Sequence, residues 1–385
     1  GEKMENFSFY NPTKIEFGKN KEKNIGEYIK PFNIKKVLLT FGSDRIKKDG
    51  LFDVVIKSLK ENSIEYIEFG GITSNPILSK VYEAIEVAKT NKVDAILSVG
   101  GGSVLDSSKA IAAGSLYDGD VWDFFIGKAT VQNALPIFDI LTLAATGSEM
   151  NCGAVVTNEK TNQKYAIQSA HLYPKVSVIN PELMSTVSKD YLVYSAADII
   201  AHSIEGYFTA TVHPTIISKY IEANISTVIE STEILLKDSE NYDARAEFAW
   251  AATNALNGTT YLGVAGYSYP NHMIEHSLSA LFNVPHGAGL SVIIPAWMKW
   301  YYKNNPTQFE RFANEIFGVY SAQEGIEALE NWFNKIGTPT KLSQFSIKKE
   351  DIPLIVENAY GNAKHFGLDS IYTKEVLTQI LNNAA

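Results

Sequence analysis

Up to Pro181 the chain alternates short apolar runs with amphipathic stretches, and beyond it almost only helical spacing remains. KKVLLTFG (35–42), IEYIEFG (64–70), VDAILSVG (93–100), PIFDILTL (136–143) and VSVIN (176–180) read as strands, with helices expected over 49–62 and 75–91. Such alternation builds a parallel sheet covered by helices. Past the turn at Asn180-Pro181, helices are expected over 189–209, 215–237, 243–256, 271–282, 287–303, 307–316, 322–336 and 373–383. A switch from β/α to all-α marks a domain boundary. The expected division is an α/β domain at 1–184 and an all-helical domain at 185–385. A length of 385 residues independently suggests two cores.

Strand 93–100 runs directly into Gly100-Gly101-Gly102-Ser103 and a helix-like SVLDSSKAIAAG. Glycines at a strand-to-helix turn let backbone N–H groups approach a ligand, and the helix N-terminus favours a phosphate. The run is not the spaced G-x-G-x-x-G fingerprint, so a tight turn that merely needs small residues explains it equally well. A second candidate is the tip of the first strand, Gly42-Ser43-Asp44-Arg45, where nucleotide-binding α/β domains commonly meet a ribose. Asp44 can accept from ribose hydroxyls, while Arg45, Lys47 and Lys48 can face a 2′-phosphate. TLAATGSEMN (142–151) offers Thr142 and Thr146 from a strand end, and Ser148 there reads alternatively as a helix N-cap.

Asp198 and His202 stand four apart in YSAADIIAHSIEGYF, so carboxylate and imidazole share one helix face. His272 and His276 repeat that spacing in NHMIEHSLSALF, and His286 follows in VPHGAG. Each residue singly is better read as solvated or as a hydrogen-bonded core residue. Together, one carboxylate and the imidazoles of His202, His272 and His286 suit a borderline divalent cation such as Fe(II) or Zn(II). Calcium and magnesium prefer oxygen donors. His171, His213 and His365 lack such spacing.

A net charge of −9 and a pI near 5.4 argue against nucleic acid and against an anionic membrane surface. No apolar run approaches the roughly 18–20 residues of a spanning helix, and GEKMENFSFY lacks the apolar core of a secretory signal. Cys152 is the only cysteine, which excludes an intramolecular disulfide and makes the cytoplasm the expected compartment. Nothing in its surroundings marks it as a nucleophile.

GGGSVLDSSK, ATGSEMN, DIIAH, HMIEH and VPHGAG, in this order, resemble the iron-containing (group III) alcohol dehydrogenases. NPTKIEFGK (11–19) and ARAEFAWAATNALNG (244–258) resemble their butanol dehydrogenase branch. The resemblance implies a Rossmann-like N-terminal domain and an all-α C-terminal domain with the active site in the cleft between them, an architecture shared with dehydroquinate synthase. It implies Asp198, His202, His272 and His286 as metal ligands, iron foremost and zinc as the other candidate. His276 would stand beside the metal and nicotinamide as a catalytic residue. Gly100 to Ser103, with Asp106, would form the pyrophosphate loop, and Thr142, Thr146 and Lys164 would line NADP or NAD. Gly42, Ser43 and Asp44 would face the ribose. GSDR departs from the branch's GGGS there, and Ser43 stands where NAD-preferring relatives carry Asp. That leaves room for a 2′-phosphate and tilts the expectation toward NADP. No residue beyond about 345 is carried over. The implied activity interconverts short-chain primary alcohols, such as butanol, with their aldehydes in a homodimer. Two rival readings are a lyase resembling dehydroquinate synthase, disfavoured because the segments around His272 and His286 contain no Arg, and a non-catalytic metal- or nucleotide-binding protein.

Overall fold

The computed structural model describes residues 3–385. They form two compact units. One comprises Tyr10–Lys160 with Lys164–Thr186; the other comprises Val187–Ala385 with Thr161–Gln163 and the N-terminal stretch up to Phe9.

The first unit is an α/β layer structure built on β1 (Lys14–Phe17), β2 (Lys36–Phe41), β3 (Glu65–Phe69), β4 (Ala95–Gly100), β5 (Ile137–Leu141), β6 (Gly153–Asn158), β7 (Gln163–Gln168) and β8 (Val176–Ile179). Six of these make a parallel sheet in the order β1-β8-β5-β4-β2-β3, and β6 pairs with β7 separately. The five expected strands all lie in the main sheet. β1, β6 and β7 are additional. β1 is four residues long and partly exposed at the sheet edge, so it carries no buried apolar run to read.

Alternate residues feed two cores, as the strand period of two requires. Leu39, Leu97 and Phe138 pack with Val55 and Leu59 of the helix Leu51–Glu61. Leu38, Ile96 and Ile137 pack with Val81 and Leu105, from the helices Leu78–Thr90 and Gly102–Ser115. The same face carries a polar row in strand register, Thr40–Ser98–Asp139–Ser177, every member fully buried. Thr40 shares a 2.7 Å hydrogen bond with Ser108, and Ser177 donates to the Glu149 carbonyl at 2.6 Å. Neither carboxylate oxygen of Asp139 has a hydrogen-bond partner among the described residues.

The chain leaves β2 for β3 on one side and then returns to place β4 on the other. In open α/β sheets such a reversal opens a crevice at the strands' carboxyl ends, where ligands bind. The loops beginning at Gly42 and Gly101 start there.

The second unit is helical. Its longer helices are Lys189–Thr209, Thr215–Lys237, Tyr242–Ala255, Pro270–Phe282, His286–Tyr301, Pro306–Phe317, Ala322–Ile336, Ile352–His365 and Lys374–Asn382. Ile352–His365 was not expected, because Pro353 and Gly361 punctuate it. Pro353 falls in the first turn, where a proline is tolerated. Ser188 starts the first of these helices by accepting a bond from Tyr191 N at 3.2 Å. Asn283 ends Pro270–Phe282 in a left-handed conformation (φ 52°), and Pro285 caps the next helix two residues later. No helix among the described residues is long and apolar enough to cross a membrane.

Candidate metal centre and nucleotide loops

The helical unit brings Asp198, His202, His272 and His286 to one buried point. Asp198 Oδ1 lies 3.4 Å from His202 Nε2, 3.6 Å from His272 Nε2 and 3.3 Å from His286 Nε2. Donor atoms of Asp198, His202 and His272 all fall within 4.8 Å of one another, with His286 joining through Asp198. Asp198 Oδ1 and His272 Nε2 are buried with no hydrogen-bond partner among the described residues. Unpartnered buried acceptors are costly. A cation at their meeting point satisfies them, so the donor set fits a divalent metal with nitrogen and oxygen ligands.

Two glycines of VPHGAG make this geometry possible. A Cβ on Gly287 would run into the backbone carbonyl of Tyr194, on the helix that carries Asp198. A Cβ on Gly289 would lie 2.7 Å from Cγ of Glu275. The close approach that sets His286 beside Asp198 therefore depends on the missing side chains.

Two carboxylates escaped the sequence reading. Glu205 Oε2 stands 3.0 Å from His272 Nδ1 and Glu275 Oε2 stands 2.9 Å from His286 Nδ1, both glutamates being fully buried. Glu205 also accepts from Asn271 N and His272 N, closing the N-terminal turn of the helix Pro270–Phe282. Their signal was present: each follows a ligand-candidate histidine by three residues, on the same helix face.

Burial alone would raise the Asp198 carboxyl, but the surrounding His202, His286 and His272 outweigh it and hold it well below the usual range. Burial pushes the His202 imidazole down to about 3, which leaves it neutral with a lone pair to give. At His272 burial also acts downward, yet the neighbouring carboxylates of Asp198 and Glu205 carry it up to about 9.

His276 is buried, its ring 6.4 Å from that of His272 and 6.0 Å from that of His286. On the other flank Tyr269 meets the His272 ring edge-on at 5.9 Å and packs with Tyr261 and Tyr267.

In the α/β unit the three loop glycines are demanded by packing as well as by any ligand. A Cβ on Gly100 would lie 2.6 Å from Val104, one on Gly101 3.0 Å from Leu143, and one on Gly102 would strike the Thr146 hydroxyl. Thr142 N donates to the Gly100 carbonyl at 2.9 Å. Ser103 Oγ donates to the Ser74 carbonyl, and Lys164 Nζ reaches Asn75 Oδ1 at 3.5 Å. The segment Thr73–Asn75, unmarked in sequence, thus joins this loop cluster.

Asp106 is turned inward: its oxygens accept from Ser148 Oγ at 2.7 Å and Val155 N at 3.1 Å. Ser148 is not an N-cap. Gly147 (φ 69°) precedes the short turn Ser148–Met150, and the Ser148 hydroxyl is committed to Asp106. Lys109, also unmarked in sequence, is fully buried and donates to the carbonyls of Ser148 (2.7 Å), Asn151 (3.0 Å) and Gly153 (2.9 Å). Burial pushes its amine down to about 8.

At the strand-β2 tip, Gly42 O accepts from Gly71 N at 2.7 Å. Ser43 Oγ accepts a long 3.4 Å bond from Arg45 N. Asp44 precedes the short helix Arg45–Lys48 without a side-chain cap bond. The Arg45 guanidinium donates to the Thr186 carbonyl. Lys47 pairs with Glu68 at 2.6 Å and lies over the rings of Phe41 and Phe52.

Comparison with known proteins covers both halves of the chain. The iron-containing alcohol dehydrogenase model matches residues 12–181, and the C-terminal model of the Fe-containing alcohol dehydrogenase family matches 192–385, reaching well past residue 345. A probable NADH-dependent butanol dehydrogenase of Bacillus subtilis is 37% identical over 97% of this chain and 98% of its own length. The NADPH-dependent aldehyde reductase of Escherichia coli is 34% identical over 92% of each chain. The crystal structure of the NADH-dependent butanol dehydrogenase A of Thermotoga maritima superposes with a TM-score of 0.97 at 49% identity, covering 100% of both chains. With both halves of the chain matched in this way, the protein belongs to the iron-containing alcohol dehydrogenase family.

Proposed function

We propose that Asp198, His202, His272 and His286 hold one divalent cation, iron foremost and zinc as the other fit. With NADH or NADPH the chain then interconverts short-chain primary alcohols and aldehydes, butanol and butanal among them. One observation carries the reading: the unpartnered Asp198 Oδ1 and His272 Nε2 meet two further imidazoles at a buried point. When bound, the cation supplies Lewis acidity toward the substrate oxygen and the nicotinamide supplies or takes the hydride.

The chain's own residues do the rest. Asp198 and the three imidazoles fix where the substrate oxygen sits. The Tyr261–Tyr267–Tyr269 group beside His272 offers an apolar, aromatic flank for an alkyl chain. His276 is the proton carrier, exchanging a proton with the substrate oxygen through a ring nitrogen. Gly100 to Ser103, Thr142, Thr146 and Lys164 cradle the dinucleotide, with the N-terminus of the helix Gly102–Ser115 facing the pyrophosphate. Asp106 serves that loop indirectly, by anchoring Ser148.

The test is steady-state oxidation of reduced nicotinamide with butanal by the metal-reconstituted enzyme, with chelator-treated protein and His202→Ala as metal-free controls. Turnover that survives in both controls would remove the metal from the reaction. His276→Ala is expected to keep its metal and lose kcat by roughly 10²-fold or more. Metal loss in that variant would make His276 a ligand instead.

The tilt toward NADP rested on room at Ser43 and on charge from Arg45 and Lys47, and both of those cations have partners of their own. NADH is the better fit, since the Asp44 carboxylate, which makes no cap bond of its own, stands in the same loop and would repel a 2′-phosphate. The relatives divide, with both NADH- and NADPH-dependent enzymes among them. Wild type is expected to prefer NADH in kcat/KM by about tenfold or more, a penalty on the order of 1.4 kcal/mol, and Asp44→Gly to narrow the gap. A wild-type preference for NADPH would refute this assignment.

A homodimer completes the reading, supported by the exposed Phe7, Phe9 and Tyr10 of the N-terminal stretch. The cytoplasm is the compartment that keeps the single Cys152 reduced.

A further inference from the structure

We propose that Glu205 and Glu275 are positioning residues of the metal centre. Each clamps one imidazole by its Nδ1, so that the Nε2 lone pair is aimed at the cation and the metal is held more tightly. The inference rests on the metal reading above and adds to it a second layer of ligand control.

The geometry of the two clamps is alike although they come from different helices. Glu205, on Lys189–Thr209, reaches across to His272 on Pro270–Phe282; Glu275, on Pro270–Phe282, reaches His286 on His286–Tyr301. A carboxylate can only accept. The Nδ1 it faces must therefore carry the hydrogen, and Nε2 is left as the donor atom. In both rings it is this Nε2 that stands against Asp198 Oδ1, at 3.6 and 3.3 Å.

Neither carboxylate is free to turn away. Glu205 Oε1 accepts from Asn271 Nδ2 at 2.6 Å and from Asn271 N at 3.2 Å. Glu275 Oε1 accepts from Ser279 Oγ, and Gly289 leaves the space that its stem occupies. A glutamate so placed adds a negative charge one bond behind a neutral ligand and strengthens that ligand as a donor. His202 is different: its Nδ1 is buried with no partner among the described residues. The control is thus directed at His272 and His286, the two ligands that lie outside the helix of Asp198.

A purely structural role predicts loss of stability without a change in metal affinity. The experiment titrates Co²⁺ alone into metal-stripped wild type, Glu205→Gln, Glu275→Gln and Glu222→Gln, reading both the dissociation constant and the visible ligand-field spectrum. Glu222 is the control. It is a buried glutamate hydrogen-bonded to Tyr207 and Arg311, with no hydrogen bond to the four candidate ligands among the described residues.

Glutamine with its oxygen toward Asn271 keeps the acceptor for both Asn271 donors, while its NH₂ group then faces His272 N and Nδ1 and opposes the required tautomer. Co²⁺ binding is expected to weaken roughly 10–100-fold in both Glu205→Gln and Glu275→Gln, with altered ligand-field bands. Glu222→Gln should match wild type in both readouts. Glu275→Gln carries the test by itself if Glu205→Gln does not fold. Wild-type affinity and spectrum in Glu275→Gln, or an equal loss in Glu222→Gln, overturns the inference and leaves the metal reading standing. Absence of Co²⁺ binding by wild type overturns the metal reading itself, and this inference with it.

Discussion

Gly287→Ala is expected to cost the protein its metal and roughly 10²-fold or more in kcat/KM, although residue 287 offers no ligand atom. The added Cβ would coincide with the Tyr194 carbonyl, which is backbone and cannot swing aside. The start of the helix His286–Tyr301 must then move away from the helix Lys189–Thr209, carrying His286 off its 3.3 Å contact with Asp198. Displacements of about 1 Å at a reacting centre commonly cost on the order of 10²-fold in rate, and overpacking adds about 1–3 kcal/mol of destabilisation. Metal content per chain, measured beside the melting temperature and kcat/KM, checks it. A folded variant with full metal and wild-type turnover would show that the two helices have slack.

The second large effect concerns stability rather than catalysis. Asp139 is fully buried in the sheet, with neither oxygen partnered among the described residues. Burial, reinforced by the nearby charge of Glu149, pushes its carboxyl well above the usual range, against weaker pulls from the adjacent Ser98 hydroxyl and from Lys109. A raised folded-state value means that the folded protein keeps a proton which the unfolded chain surrenders near pH 4. The associated stability is complete below that pH and is lost as pH rises through the folded value. The loss is about 1.4 kcal/mol for each pH unit between the two. Asp139→Asn does not titrate and escapes that loss. Its melting temperature is expected to exceed that of wild type at pH 8, with the advantage shrinking steadily toward pH 4. A variant that melts below wild type at pH 8, or a difference independent of pH, would contradict a protonated Asp139.

Much of the molecule was legible in one dimension because local periodicity carries it. The apolar runs 35–42, 93–100 and 136–143 became β2, β4 and β5, because a buried parallel strand needs a continuous apolar stretch. The helices 215–237 and 322–336 were expected with the bounds that the structure has, since each presents an apolar stripe at helical spacing. What failed locally was short or interrupted: β1 with four residues, the β6–β7 pair, and the helix Ile352–His365 with its proline and glycine.

The candidate site divides along the same line. By itself the sequence determined the family, the α/β-then-all-α architecture and a short roster of chemically suited residues, because motif order, hydrophobic period and i,i+4 spacing are properties of the chain alone. Only the tertiary structure decided what those residues do to one another. Glu205 and Glu275 look like ordinary helix carboxylates until another helix sets an imidazole at 3.0 or 2.9 Å. Arg45 and Lys47 look free to bind phosphate until Thr186 and Glu68 meet them. Asp106 reads only as a member of the glycine-loop motif until Ser148 and Val155 are seen to donate to its two oxygens. In each case the deciding partner lies far along the chain or on another element. Burial and pairing are set by packing between such segments, which one-dimensional spacing does not encode.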